Sequence, residues 1–134
     1  MDCVFCKIVA GEIPSYKVYE NESTMAFLDI APVSQGHVLV ISKNHLTNLE
    51  NIPDEELCKL IKTVKKIGQA LKNGLDIEGY SVNVNNDPVA GQIIPHIHFH
   101  LIPRSKNDEL KLWPQGKYKE GEAEMVLKKI KNCL

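Results

Sequence analysis

His96-Ile97-His98-Phe99-His100-Leu101-Ile102 carries three imidazoles at every second position, with only apolar residues between them. In an extended strand successive side chains point to opposite faces. The spacing therefore predicts a strand with His96, His98 and His100 on one side and Ile97, Phe99 and Leu101 on the other. One side belongs to a core and the other is chemically active, because imidazole near neutral pH is a nucleophile, a proton carrier or a metal ligand. A lone histidine would read as packed or solvated. Three in register do not.

Working outward, Tyr80-Ser81-Val82-Asn83-Val84-Asn85 also alternates with period two, and Asn86 to Gln92 form the loop that joins it to the histidine strand. Lys17–Glu20 and Thr24–Asp29 predict a hairpin around the polar turn Asn21-Glu22-Ser23, and His37–Ile41 predicts a further strand rich in β-branched residues. Between Pro53 and Asn73 the period changes. Leu57, Leu60, Ile61, Val64, Ile67 and Leu71 recur every three or four residues, with Pro53 suited to the first turn, Asp54-Glu55-Glu56 at the positive end of the dipole and Gly74 as the stop. A turn or two of helix from Phe5 to Ala10, ending at Gly11, and a last helix from about Glu120 to Ile130 with Met125, Val126 and Ile130 on one side complete the reading. Five strands, several joined by short loops, and one long helix make an α+β architecture.

At 134 residues the chain is long enough for one domain with a real core, spanning 1–134. Sixteen basic against seventeen acidic residues leave a net charge of -1, so no broad field steers it to nucleic acid or an anionic membrane. The N-terminus lacks a basic region followed by a long apolar run, and no later stretch reaches transmembrane length, so the expected location is cytoplasmic. Four cysteines in such a chain read as thiols or metal ligands rather than a disulfide framework.

The histidine strand resembles the signature of the histidine triad (HIT) family, His-x-His-x-His followed by two apolar residues. The resemblance extends from Asp2 to Arg104 through Cys3-Val4-Phe5-Cys6-Lys7-Ile8, Gly11-Glu12-Ile13-Pro14, Ala26-Phe27-Leu28-Asp29-Ile30, Gly36-His37-Val38-Leu39-Val40-Ile41 and Ala90-Gly91-Gln92, in the family's order. It implies a five-stranded antiparallel sheet with a long helix, usually as a homodimer. It also implies nucleotidyl chemistry at an α-phosphate of purine nucleoside phosphoramidates or dinucleoside polyphosphates, with no organic cofactor. The middle histidine, here His98, would attack phosphorus and carry the nucleotide until water releases it, in the manner of covalent catalysis.

On the same resemblance His100 would donate to a phosphate oxygen, and Asn85 with the backbone amides of Gly91 and Gln92 would complete the cradle. Asp29 matches the acidic position that grips the ribose hydroxyls; Phe5, Ile8, Ile13, Phe27 and Ile30 match the apolar base pocket, though each would also suit an ordinary core. Cys3, Cys6, His45 and His96 match the ligands of a structural zinc, one per subunit, found in some members. His37 matches a histidine that supports the triad. Asn85 resembles the phosphoramidase branch, whereas Ile93 stands where that branch often has Ser or Thr. Trp113-Pro114 is similar to a C-terminal segment that reaches the partner's active site in that branch, but here a further helix follows. Two other readings accompany this one: a nucleotide-binding regulatory module with little turnover, and a zinc hydrolase whose metal is held by all three triad histidines. Same-face residues of one strand stand about 6.5–7 Å apart, which disfavours convergence on one ion.

Overall fold

Strand β5 (His98–Arg104) lies inside a five-stranded antiparallel sheet, between β3 (Val38–Ser42) and the edge strand β4 (Gly79–Val84). Strands β1 (Lys17–Glu20) and β2 (Thr24–Leu28) complete the order β1-β2-β3-β5-β4 in the computed structural model, which describes residues 2–134. Helices α1 (Val4–Val9), α2 (Asp54–Leu75) and α3 (Glu122–Lys131) accompany the sheet, as the α+β reading expects. No helix among the described residues is long and apolar enough to cross a membrane.

The sheet is covered on both faces, and the alternation of side chains decides what each cover meets. Ala26, Val38, Val40, Phe99 and Leu101 pack with Leu60, Val64, Ile67 and Leu71 of α2. Met25, Phe27, Leu39 and Ile41 face the other way, with Cys3 and Phe5 of the N-terminal segment. The register of β3 on β5 pairs Val38 with Leu101 and Val40 with Phe99, and sets Leu39 opposite His100 and Ile41 opposite His98. The histidines therefore lie on the α1 face of the sheet.

Several expected boundaries move. The strand starts at His98 because Ile41 opposite His98 is the last β3 pair. Ile97 N–H instead donates to Leu46 O at 2.7 Å, beyond the end of β3. Side-chain alternation survives the bend, with Ile97 buried in the α2 layer and His96 buried beside Phe5. Helix α2 runs through Gly74 to Leu75 and stops at Asp76, whose φ of 53° and ψ of 44° are left-handed; a short polar side chain is among the few that tolerate this conformation. Pro53 is the residue before the first turn rather than within it. Helix α3 begins at Glu122 behind Gly121, and none of its residues is buried, Met125 included.

The buried stripe of α2 is Leu60, Thr63, Val64, Ile67, Gly68 and Leu71, which leaves Ile61 46% exposed. Thr63 takes a core position because its hydroxyl meets that of Thr24 on β2 at 2.8 Å, satisfying both groups away from water. Gly68 takes another because a Cβ there would overlap the ring of Tyr80. Gly68→Ala should therefore lower stability by about 1–2 kcal/mol in urea unfolding, overpacking outweighing alanine's better helix propensity. An unchanged or raised midpoint would contradict the tight approach of α2 to β4.

Candidate active site and metal centre

The backbone assigns the protons on the triad. His98 Nδ1 is 2.7 Å from His96 O, and a carbonyl can only accept, so Nδ1 carries the hydrogen and Nε2 keeps its lone pair. Val33 N–H donates to His37 Nδ1 at 3.1 Å, which leaves the hydrogen of the neutral His37 ring on Nε2. That Nε2–H donates to His100 Nδ1 at 3.0 Å, so the hydrogen of His100 is on Nε2. His98 thus presents an electron pair and His100 presents a donor. One amide, four residues before His37, fixes the second assignment through an intervening ring.

Burial holds these rings neutral at pH 7. It lowers His37, partly offset by Asp29, whose Oδ2 is 3.7 Å from His37 Nε2. It lowers His98 against the favourable carbonyl of His96, and it pushes His100 down to about 4, with His98 and His37 adding to the effect. The Cε1 carbon resonance of His100 should consequently titrate far below pH 6.5 in an NMR titration, the ring staying neutral until the pH falls toward 4. A midpoint at or above 6.5 would mean that the ring is not desolvated.

A cleft of about 440 Å³ opens over His98 and His100. Phe5, Ile8, Ile13, Phe27, Asp29, Ile30, Asn85 and Gly91 all line it. Phe5 is the keystone of its apolar end, edge-on to Phe27 at 5.6 Å and to His98 at 5.1 Å between ring centroids. Asp29 Oδ1 accepts from Ala31 N–H at 2.9 Å, which anchors the carboxylate at the end of β2. A Cβ on Gly91, at φ +99°, would come within 3.3 Å of Asn85 Nδ2, so the glycine lets the loop close over that amide.

Gln92 is a correction. Its side chain is buried between two loops, Oε1 accepting from Asp87 N–H at 2.8 Å and Nε2 donating to Thr47 O at 2.6 Å, and it does not line the cleft. The amides of Gly91 and Gln92 are also engaged, donating to Pro88 O and Asp87 O. Among the described residues the amides of Ile93 and Ile94, two residues that do line the cleft, make no such bond. Val4, Pro14, Ser15, Leu28 and Leu39 line the cleft as well without having been singled out. For Leu39 the signal was present, since strand alternation puts it on the histidine face opposite His100.

His96 belongs elsewhere. Its Nε2–H donates to Ser42 O at 2.7 Å, which turns the lone pair of Nδ1 toward Cys3 Sγ at 3.5 Å and Cys6 Sγ at 3.6 Å. Cys6 Sγ is 3.3 Å from His45 Nδ1, and the four candidate ligand atoms lie within 4.8 Å of one another. Bonds of about 2.3 Å to sulfur and about 2.0–2.1 Å to nitrogen at tetrahedral angles separate S from N by about 3.5 Å, so the set fits a Cys₂His₂ metal site. The three triad rings face different partners and form no common ligand set, contrary to the reading in which all three hold one catalytic zinc.

Fold and site together define a protein of the histidine triad type, and comparison with known proteins agrees. The HIT domain family model matches residues 10–107, and the chain belongs to that family. An adenosine 5'-monophosphoramidase of Candida albicans is 49% identical over 111 residues, covering 80% of this chain and 72% of that protein. The crystal structure of a HIT family member from Bacillus subtilis superposes with a TM-score of 0.91 at 38% identity, over 100% of this chain and 98% of the other. A Zn-bound histidine triad family protein from Mycobacterium smegmatis superposes at 0.79 with 32% identity, over 100% and 99%.

Proposed function

We propose that the protein is a nucleotide hydrolase or transferase that cleaves purine nucleoside phosphoramidates at the α-phosphate through a covalent nucleotidyl intermediate on His98. The observation that carries this reading is the Nδ1–H of His98 held by a backbone carbonyl, which leaves a neutral, correctly directed Nε2 in the cleft. Nε2 forms the new bond to phosphorus while the P–N bond breaks, and the amine leaves with the electron pair and a proton from solvent. Water then forms the P–O bond of the product and gives its proton to solvent, while the N–P bond breaks with its electron pair returning to Nε2, so the ring is neutral again. The Nε2–H of His100, the Asn85 amide and the free amides of Ile93 and Ile94 suit the charge that builds on the phosphate oxygens. Asp29 would take the ribose hydroxyls, and Phe5, Ile8, Ile13, Phe27 and Ile30 the base.

Charge distinguishes the two substrate classes. A polyphosphate leaving group adds several negative charges, whereas no Lys or Arg among the described residues lines the cleft and Asp29 already supplies a carboxylate. An amine leaving group adds none. The name of the Candida albicans relative supports the same choice.

Zinc on Cys3, Cys6, His45 and His96 would close the coordination shell and tie three separated parts of the chain together. A homodimer is consistent with the unpaired outer edge of β4, since a buried or paired edge is the usual way to avoid open-ended association.

His98→Ala should reduce turnover of adenosine 5'-phosphoramidate by about three orders of magnitude or more while AMP still binds, because it removes the path and not the pocket. Turnover near that of the parent would overturn the mechanism. Metal analysis should find about one zinc per chain, and a chelator or the pair Cys3→Ser and Cys6→Ser should lower Tm. Protein without zinc and a melting curve indifferent to chelator would reduce the cluster to buried thiols.

A further inference from the structure

The metal cluster and the nucleotide cleft have two parts in common. The first is α1, whose six residues cannot hold a helix in water on their own. Cys3 precedes it and Cys6 lies within it, while Val4, Phe5 and Ile8 form part of the cleft wall, and Phe5 is the helix's one buried residue. The anchoring of this wall therefore rests on the Phe5 ring, on the partly buried Val4, Ile8 and Val9 packed against the same layer, and on whatever the two sulfurs bind. The second shared part is His96. Its ring offers Nδ1 to the cluster and Nε2–H to Ser42 O, and its carbonyl holds the Nδ1–H of His98. Phe5 closes the circuit, edge-on to His96 at 5.8 Å and to His98 at 5.1 Å.

From this shared wall we infer that metal binding and nucleotide binding are thermodynamically coupled. Four ligands around one ion fix where α1 stands and how the His96 peptide is turned, and both set the nucleotide site. A nucleotide seated against Phe5 and Ile8 presses α1 into the same position and so favours the ion. Linkage makes the two effects equal: the factor by which zinc tightens AMP is the factor by which AMP tightens zinc, and couplings of this kind are commonly about 5- to 150-fold. The inference rests on the nucleotide reading of the cleft proposed above. It adds that Cys3 and Cys6 are positioning residues for nucleotide affinity as well as anchors of the fold.

The test measures both affinities on the full-length protein. AMP binding is followed by calorimetry on zinc-loaded and zinc-depleted protein, with far-ultraviolet circular dichroism recorded on each. Zinc affinity is measured by competition with a chromophoric chelator, with and without saturating AMP, and inorganic phosphate serves as the control. Zinc should tighten AMP about tenfold, AMP should tighten zinc by the same factor, and phosphate should do neither. Phe5→Leu keeps all four ligands but loses the ring between the sites, so its coupling factor should fall toward one even where it still binds both ligands. Equal AMP affinities in folded loaded and depleted protein would overturn the coupling alone. A depleted form that is unfolded would overturn it too, because the linkage would then run through global folding rather than through α1 and His96. AMP failing to bind the loaded protein would instead overturn the nucleotide reading, and zinc failing to bind would overturn the metal reading.

Discussion

The two-residue period of β5, buried on both faces, is the constraint on which the rest of the structure depends. Phe99 and Leu101 fill the layer under α2, while His98 and His100 occupy the opposite layer beside Phe5 and Phe27. A slip of one residue against β3 would drive two imidazoles under α2 and put a phenylalanine and a leucine into the cleft, a double cost that pins the register. Burial follows from register, and neutrality follows from burial. The same packing that stabilises the sheet thus prepares the histidines as uncharged rings near pH 7.

Three histidines of one strand and its approach perform different tasks because each meets a different backbone group. A carbonyl holds one nitrogen of His96 and another holds one of His98, and an amide acts on His100 through His37. Peptide groups cannot exchange their donor and acceptor roles, so the tautomers are properties of the fold. The outcome is a lone pair on His96 that faces Cys3 and Cys6, a cleft-facing lone pair on His98 and a cleft-facing hydrogen on His100. Residue type alone does not distinguish them.

The loop before β5 shows how a residue can adjoin a cleft in sequence without lining it. Gln92 sits next to the cleft in sequence, but its amide bridges Asp87 and Thr47 and so braces the loop from behind. The residues of this loop that face the cleft are Gly91, Ile93 and Ile94, and Ile93 is 88% exposed. Where the family resemblance suggests a hydroxyl at Ile93, this protein offers a backbone amide and an apolar side chain. The cleft is accordingly less polar at this position.

Much of this was legible in the chain itself. Period two in Tyr80–Asn85 and in the histidine run, and period three to four from Leu57 to Leu71, identified the sheet faces and the long helix, because burial on one side of a regular element leaves its period in the sequence. The apolar and acidic residues of the cleft were recognisable through their motifs, since each sits in a short local run on α1, in the loop after it or at the end of β2. Tertiary structure alone decided the rest: that Thr63 and Gly68 displace Ile61 from the buried stripe, that Gln92 turns away, and which nitrogen of each histidine is free. The reason is distance along the chain. Thr24 meets Thr63 across 39 residues, His37 meets His100 across 63 and Cys3 meets His96 across 93, and no local pattern carries the direction of a hydrogen bond whose partner is that remote.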